Sequence, residues 1–148
     1  MKKYFSILLM FAFLVSCGYT PIYSNKNLDF KLKDVINYEN SRLNSKITKK
    51  LQSFSNLQSQ KIISIKIDTH KKINVLSKDA KGDPSRYEMI IDVKLEVIND
   101  QNKNRSFEEK FNYNSTTNKF ELNQNEKRIE NLLIKKNIDS IIIYLSQI

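Results

Sequence analysis

The segment 61-KIISIKIDTHKKINVLSKDAKGDPSRYEMIIDVKLEVI-98 decides the architecture. Its first part, Lys61 to Val75, opens on strict alternation. Ile63, Ile65 and Ile67 fall on one side of an extended chain, with Ser64, Lys66, Asp68 and His70 on the other, because successive strand side chains point to opposite faces. Arg86 to Ile98 repeats the pattern: Tyr87, Met89, Ile91, Val93, Leu95 and Val97 one way, Glu88, Asp92, Lys94 and Glu96 the other. Strands of this kind predict an antiparallel sheet with one buried face and one that is wet or covered by a partner. Between them, Ser77 to Ser85 holds Gly82 and Pro84 among Ser, Asp and Lys, which is the composition of a turn. The segment is a hairpin with a tip of mixed charge.

On the C-terminal side, Asn99 to Asn104 reads as a second polar turn and Arg105 to Asn114 as a strand with Phe107, Phe111 and Tyr113 on one side. Glu109 shares that side by parity, which predicts a bulge or an edge position where its carboxylate reaches water. Lys119 to Ile148 lacks Gly and Pro, and Ile129, Leu133, Ile134, Ile138, Ile141, Leu145 and Ile148 recur at helical spacing. Residues 141–145 alone would suit a strand, but length and the absence of breakers favour a long helix.

On the N-terminal side, Leu43, Ile47, Leu51 and Phe54 line one face of a helix over Ser41 to Phe54, capped by Asn40 or Ser41. Lys46, Lys49 and Lys50 lie off that stripe, toward water. Phe30 and Leu32 alternate with Lys31 and Lys33, a weaker strand signal that runs on toward Val35 or Ile36. The fold expected is α+β: a two-layer sandwich of two helices packed on a four-stranded, mostly antiparallel sheet, in the order β-α-β-β-β-α. Residues 28–148 form a single domain.

The first residues speak to compartment. Met1-Lys2-Lys3 is followed by an apolar run from Tyr4 to Val15, broken only by Ser6, and then by Ser16, Cys17 and Gly18. These are the parts of a secretory leader. The run spans about 18 Å as a helix, short of the ~30 Å of a bilayer's hydrocarbon. Cleavage before Cys17 would put Leu14 at the −3 position, too large for ordinary processing. Leu14-Val15-Ser16-Cys17 instead resembles the lipobox of bacterial lipoproteins. That resemblance implies that residues 1–16 are removed and that Cys17 becomes the first residue. It then carries diacylglycerol on sulfur and a palmitate-type acyl chain on nitrogen, with 17–27 as a lipidated tether. The alternative is a free thiol in a conventional secreted protein; Cys17 is the sole cysteine, and an unpaired thiol is a liability in an oxidising compartment. Gly18 is not the aspartate that tends to hold lipoproteins at the inner membrane, so the expected location is the outer membrane, on its periplasmic face.

Candidate chemistry is sparse. His70 is the one histidine, so neither a histidine metal cluster nor a histidine-based triad can be assembled. Glu108-Glu109 and Asp92/Glu96 read as solvated strand neighbours. The expectation is a protein that is not an enzyme, with no cofactor beyond covalent lipid and no metal. The formal charge of +9, or +7 once Lys2 and Lys3 leave with the leader, suits acidic headgroups or phosphorylated glycolipid. Secretion argues against nucleic acid. The candidate binding residues are Lys78, Lys81 and Arg86 at the hairpin tip, with Lys71 and Lys72 further down. Plain solubility of a charged turn is the competing reading.

Cys17-Gly18-Tyr19-Thr20-Pro21-Ile22-Tyr23 resembles the start of mature lipopolysaccharide-assembly lipoproteins, the LptE (RlpB) family. Ser85-Arg86-Tyr87, Phe111-Asn112-Tyr113-Asn114-Ser115 and Asn118-Lys119-Phe120 are similar in order and spacing to alphaproteobacterial members. The resemblance implies the two-helix, four-strand sandwich. It also implies a partnership with the large LptD-like β-barrel that translocates lipopolysaccharide, and lipopolysaccharide binding through basic residues. Family members often have alanine-rich final helices, whereas residues 119–148 are rich in Asn, Lys and Ile. The alternatives are an accessory subunit of another envelope transporter and a structural envelope lipoprotein.

Overall fold

The computed structural model describes residues 29–37, 41–98 and 103–148. The leader, Cys17, the tether and most of the turn after Ile98 lie outside the described residues.

The elements follow the expected order: β1 (Lys31–Asn37), α1 (Arg42–Gln52), β2 (Ile62–Lys78), β3 (Pro84–Ile98), β4 (Lys103–Asn114) and α2 (Lys119–Gln147). The strands form one sheet in the order β1-β2-β3-β4. The β2–β3 and β3–β4 pairs are antiparallel, while β1 runs parallel to β2 because α1 carries the chain back between them. Each helix begins where a polar side chain satisfies its first amides. Ser41 Oγ accepts from the Asn44 N–H at 3.0 Å, and Asn118 Oδ1 accepts from the Phe120 and Glu121 N–H groups.

Both helices lie on the odd-numbered face of β2 and β3, α1 over β1 and β2, α2 over β3 and β4. The alternating residues meet the helical stripes there: Ile63, Ile65, Ile67, Met89, Ile91, Val93, Leu95 and Val97 are buried with Ile47, Leu51, Leu133, Ile138, Ile141 and Leu145. Burying each such side chain contributes about 1.5–3 kcal/mol. The stripe of α2 also holds a polar residue, Asn137, whose Nδ2 donates to the Ile91 carbonyl at 3.1 Å in the middle of β3. Asn137 thereby fixes the helix against the central strand.

The even-numbered face carries no helix among the described residues and is mostly polar, with exposed Ile62 and Ile98 at the end away from the hairpin tip. Lys66 Nζ lies 3.9 Å from Glu96 Oε2, His70 Nε2 lies 2.9 Å from Asp68 Oδ2, and Ser106 Oγ donates to Asp92. β4 pairs with β3 in unbroken register from Arg86↔Asn114 to Val97↔Lys103. The edge reading of Glu109 therefore holds and the bulge does not; its carboxylate lies 3.8 Å from Lys136 Nζ.

The helices do not cover the whole apolar face. β2 has 17 residues, about 56 Å of strand at ~3.3 Å per residue. Helix α1 has 11, about 16 Å of helix. The hairpin outruns its cover.

Candidate functional site

The exposed end of the hairpin gathers the candidate cations. β2 runs through Lys78 and β3 starts at Pro84, so the turn is Asp79 to Asp83, shorter than its composition suggested. Asp79 organises it. Asp79 Oδ1 accepts from the Lys81 and Asp83 N–H groups, both at 2.9 Å, and the Asp79 N–H donates to the Asp83 carbonyl at 2.8 Å. Gly82 takes φ +88°, a conformation that costs a side-chain-bearing residue about 1–2 kcal/mol. Lys81 thus projects from a turn whose backbone is tied down.

Lys78 stands opposite Pro84, and Arg86 opposite Ser77 on one side and Asn114 on the other. Lys78, Lys81 and Arg86 are all exposed, and none forms an ion pair with another described residue. The Ser115 N–H donates to the Ser85 carbonyl at 2.9 Å, which brings the start of α2, with exposed Lys119 and Phe120, to the same end of the molecule. Lys119 is a fourth cation that the sequence alone did not place there.

The same end also exposes apolar side chains. Cross-strand rows Ile73–Met89–Phe111 and Val75–Tyr87–Tyr113 continue the core face toward the tip. Helix α2 covers part of these rows: Met89 is fully buried and Tyr113 nearly so. Ile73 and Val75 on one flank and Phe111 on the other stay 40–48% exposed, and Phe120 is 72% exposed. Tyr113 anchors the helix here: its ring stacks on Tyr87 at 5.4 Å and its hydroxyl donates to Glu126 Oε1 at 2.8 Å. Burial and the Glu126 carboxylate push the Tyr113 phenol well above its usual value.

Lys71 and Lys72, expected together as flanks of the site, separate. Lys72 is exposed. Lys71 has the parity of Ile67 and Thr69, turns to the helix side, and binds Glu130 Oε2 at 2.8 Å. It is structural, and parity was the signal for it. His70 pairs with Asp68 on the even face, as a surface histidine does. Among the described residues no cluster of His, Cys, Asp and Glu has a metal-holding arrangement, and no helix is long and apolar enough to cross a membrane.

No protein-family profile and no curated protein matches the sequence. Solved structures do match the fold. Rare lipoprotein B from Shewanella oneidensis superposes with a TM-score of 0.59 at 15% identity, over 79% of this chain and 94% of that one. An uncharacterized lipoprotein B from Nitrosomonas europaea gives 0.61 at 10% identity, over 82% and 88%. A minor lipoprotein from Acinetobacter baumannii gives 0.59 at 11%, over 82% and 92%. The sandwich is the fold of these lipoproteins.

Proposed function

Starting from a fold held in common with rare lipoprotein B, we propose that this chain is an outer-membrane lipoprotein of the LptE (RlpB) kind. In this reading Cys17 is acylated after removal of residues 1–16. The domain partners an LptD-like β-barrel on the periplasmic side and binds lipopolysaccharide as it is assembled into the outer leaflet. It performs no catalytic step.

One observation carries the ligand. Exposed Lys78, Lys81 and Arg86 share an end of the molecule with exposed Val75, Leu76 and Phe120. Lipopolysaccharide offers phosphates and acyl chains side by side. Cations on a braced turn and on the strand ends beside it suit the phosphates, and the neighbouring apolar side chains suit the chains. The even face of the sheet, mostly polar and without a helix, matches the polar lumen of a large barrel. Anchoring through Cys17 supplies membrane affinity, since each buried methylene contributes about 0.8 kcal/mol and two or more chains hold stably.

The test is purification of the tagged full-length protein from cell envelopes in mild detergent. A large outer-membrane barrel comes down with it, and Cys17→Ala shifts the protein out of the outer-membrane fraction. Recovery without a barrel, together with no binding of purified lipopolysaccharide, overturns the assignment.

A further inference from the structure

A second amphipathic site lies away from the hairpin, between the two helices. α1, the Phe54 that follows it, and α2 from Asn131 to Asp139 line a groove of about 760 Å³. Phe54 forms its apolar wall, the nearly buried Ile134 and Ile138 its floor, and Lys49, Lys50 and Lys135 its rim. These three lysines are exposed, and a lysine stem can extend apolar surface while its ammonium stays in water. Lys46, the fourth lysine, is already held by Asn131 and Glu130. Lys50 Nζ sits 5.4 Å from the centre of the Phe54 ring, while Lys49 and Lys135 have no ion-pair partner among the described residues. A single carboxylate, Asp139, lines the groove against four lysines.

This arrangement is unfavourable when empty. Like charges gathered round a low-dielectric concavity repel one another and focus a positive potential into it. An anion with an apolar body relieves the repulsion and covers the partly exposed Phe54 ring. The volume is that of a site for one small ligand, enough for a phosphate with part of its acyl chains and too little for a multiply acylated glycolipid.

Position points the same way. Phe54 adjoins the place where the described chain begins: the Asn56 N–H donates to the Phe30 carbonyl at 2.9 Å, and the Leu32 N–H to Ser55 Oγ at 2.8 Å. With Cys17 acylated, as the function proposed above requires, the 12 residues of 17–28 span at most about 40 Å. The groove then lies within reach of the leaflet that holds the anchor.

We infer that the groove between α1 and α2 binds an anionic glycerophospholipid, its phosphate held by Lys49, Lys50 and Lys135 and its acyl chain laid along Phe54, Ile134 and Ile138. The site is separate from the hairpin end, and its ligand is a membrane lipid rather than the transported glycolipid.

The protein has no tryptophan, so Phe54→Trp installs a lone reporter in the groove. The full-length processed protein in neutral detergent is titrated with short-chain phosphatidylglycerol, phosphatidylcholine, lipid A or inorganic phosphate. Phosphatidylglycerol should shift the Trp emission to the blue and saturate, while phosphatidylcholine binds at least about tenfold more weakly. Lys49→Glu with Lys135→Glu should weaken phosphatidylglycerol by about tenfold or more. The neutral pair Lys49→Gln with Lys135→Gln gives a smaller loss. Both pairs are exposed and should keep the thermal transition unchanged. Charge reversal at Lys78, Lys81 and Arg86 leaves this binding intact, which separates it from lipopolysaccharide binding at the hairpin. Equal affinity for phosphatidylcholine, or no effect of the Lys49 and Lys135 reversals, overturns the inference. So does displacement of the lipid by millimolar phosphate, or lipid A binding in the groove more tightly than phosphatidylglycerol.

Discussion

Lys71 Nζ lies 2.8 Å from Glu130 Oε2 and ties the middle of β2 to α2. Lys46 of α1 reaches the other oxygen of the same carboxylate at 3.5 Å. Three elements therefore converge on one side chain that is only 12% exposed, and the pairing lies where α1 ends its cover of the hairpin.

Burial alone would push the Glu130 carboxyl up, but the hydrogen bonds and charges of Lys71 and Lys46 outweigh it and hold the carboxyl below its usual value. A carboxyl lowered in the folded state stabilises the fold above the unfolded value, about 4.3, and that stability is lost as pH falls through the folded value. Glu130→Gln should cost about 1–3 kcal/mol at neutral pH. Urea unfolding at pH 7 and pH 3 checks it: the gap between variant and parent should narrow at the lower pH.

Tyr113 makes the complementary case at high pH. Its phenol is raised in the folded state, so its contribution is complete below about pH 10, the unfolded value, and is lost as pH rises beyond that. Spectrophotometric titration should show a phenol ionising well above the usual tyrosine range, and Tyr113→Phe should remove that late step. The same variant loses the bond to Glu126 and should cost about 1 kcal/mol.

The turn is braced by Asp79 and Gly82. A Cβ on Gly82 would meet nothing within 4 Å, so Gly82→Ala is penalised through its backbone alone, by about 1–2 kcal/mol. Asp79→Ala releases the Lys81 and Asp83 amides and should speed hydrogen exchange across the tip while β2 and β3 stay protected, a pattern resolved by exchange mass spectrometry.

Lys78, Lys81 and Arg86 are exposed and unpaired among the described residues, so reversing all three to Glu should leave thermal stability within about 0.5 kcal/mol. Lipopolysaccharide affinity should fall by about tenfold or more and lose its sensitivity to salt. An unchanged affinity removes the hairpin end as the ligand site.

The fold was legible because its signals are local. Alternation at Ile63, Ile65 and Ile67 and from Tyr87 to Val97 fixed the strands and their buried face, and Ser41 marked the start of α1. Lys71 was misread because charge was weighed over parity; its stem follows the core face and its ammonium finds Glu130. Asn137 broke the apolar stripe of α2, and no local signal reveals that a strand carbonyl awaits it. Lys46, Lys49 and Lys50 were rightly placed off the stripe of α1. That Lys49 and Lys50 rim a groove depends on where α2 packs, a long-range relation that periodicity does not encode. For the same reason Lys119 and the half-exposed Ile73, Val75 and Phe111 escaped notice at the hairpin end.

β1 pairs with β2 only from Ile62 to Ile67, so the backbone of β2 from Asp68 to Lys78 has no neighbour on that side among the described residues. An open ladder of that length is a template on which another copy can add a strand. Lys72 and Lys78 stand along it, exposed, and like charges brought together by a copy-to-copy pairing would repel. Lys72→Val would weaken that repulsion along the open edge, so the variant should associate edge to edge more readily than the parent, a change that sedimentation checks.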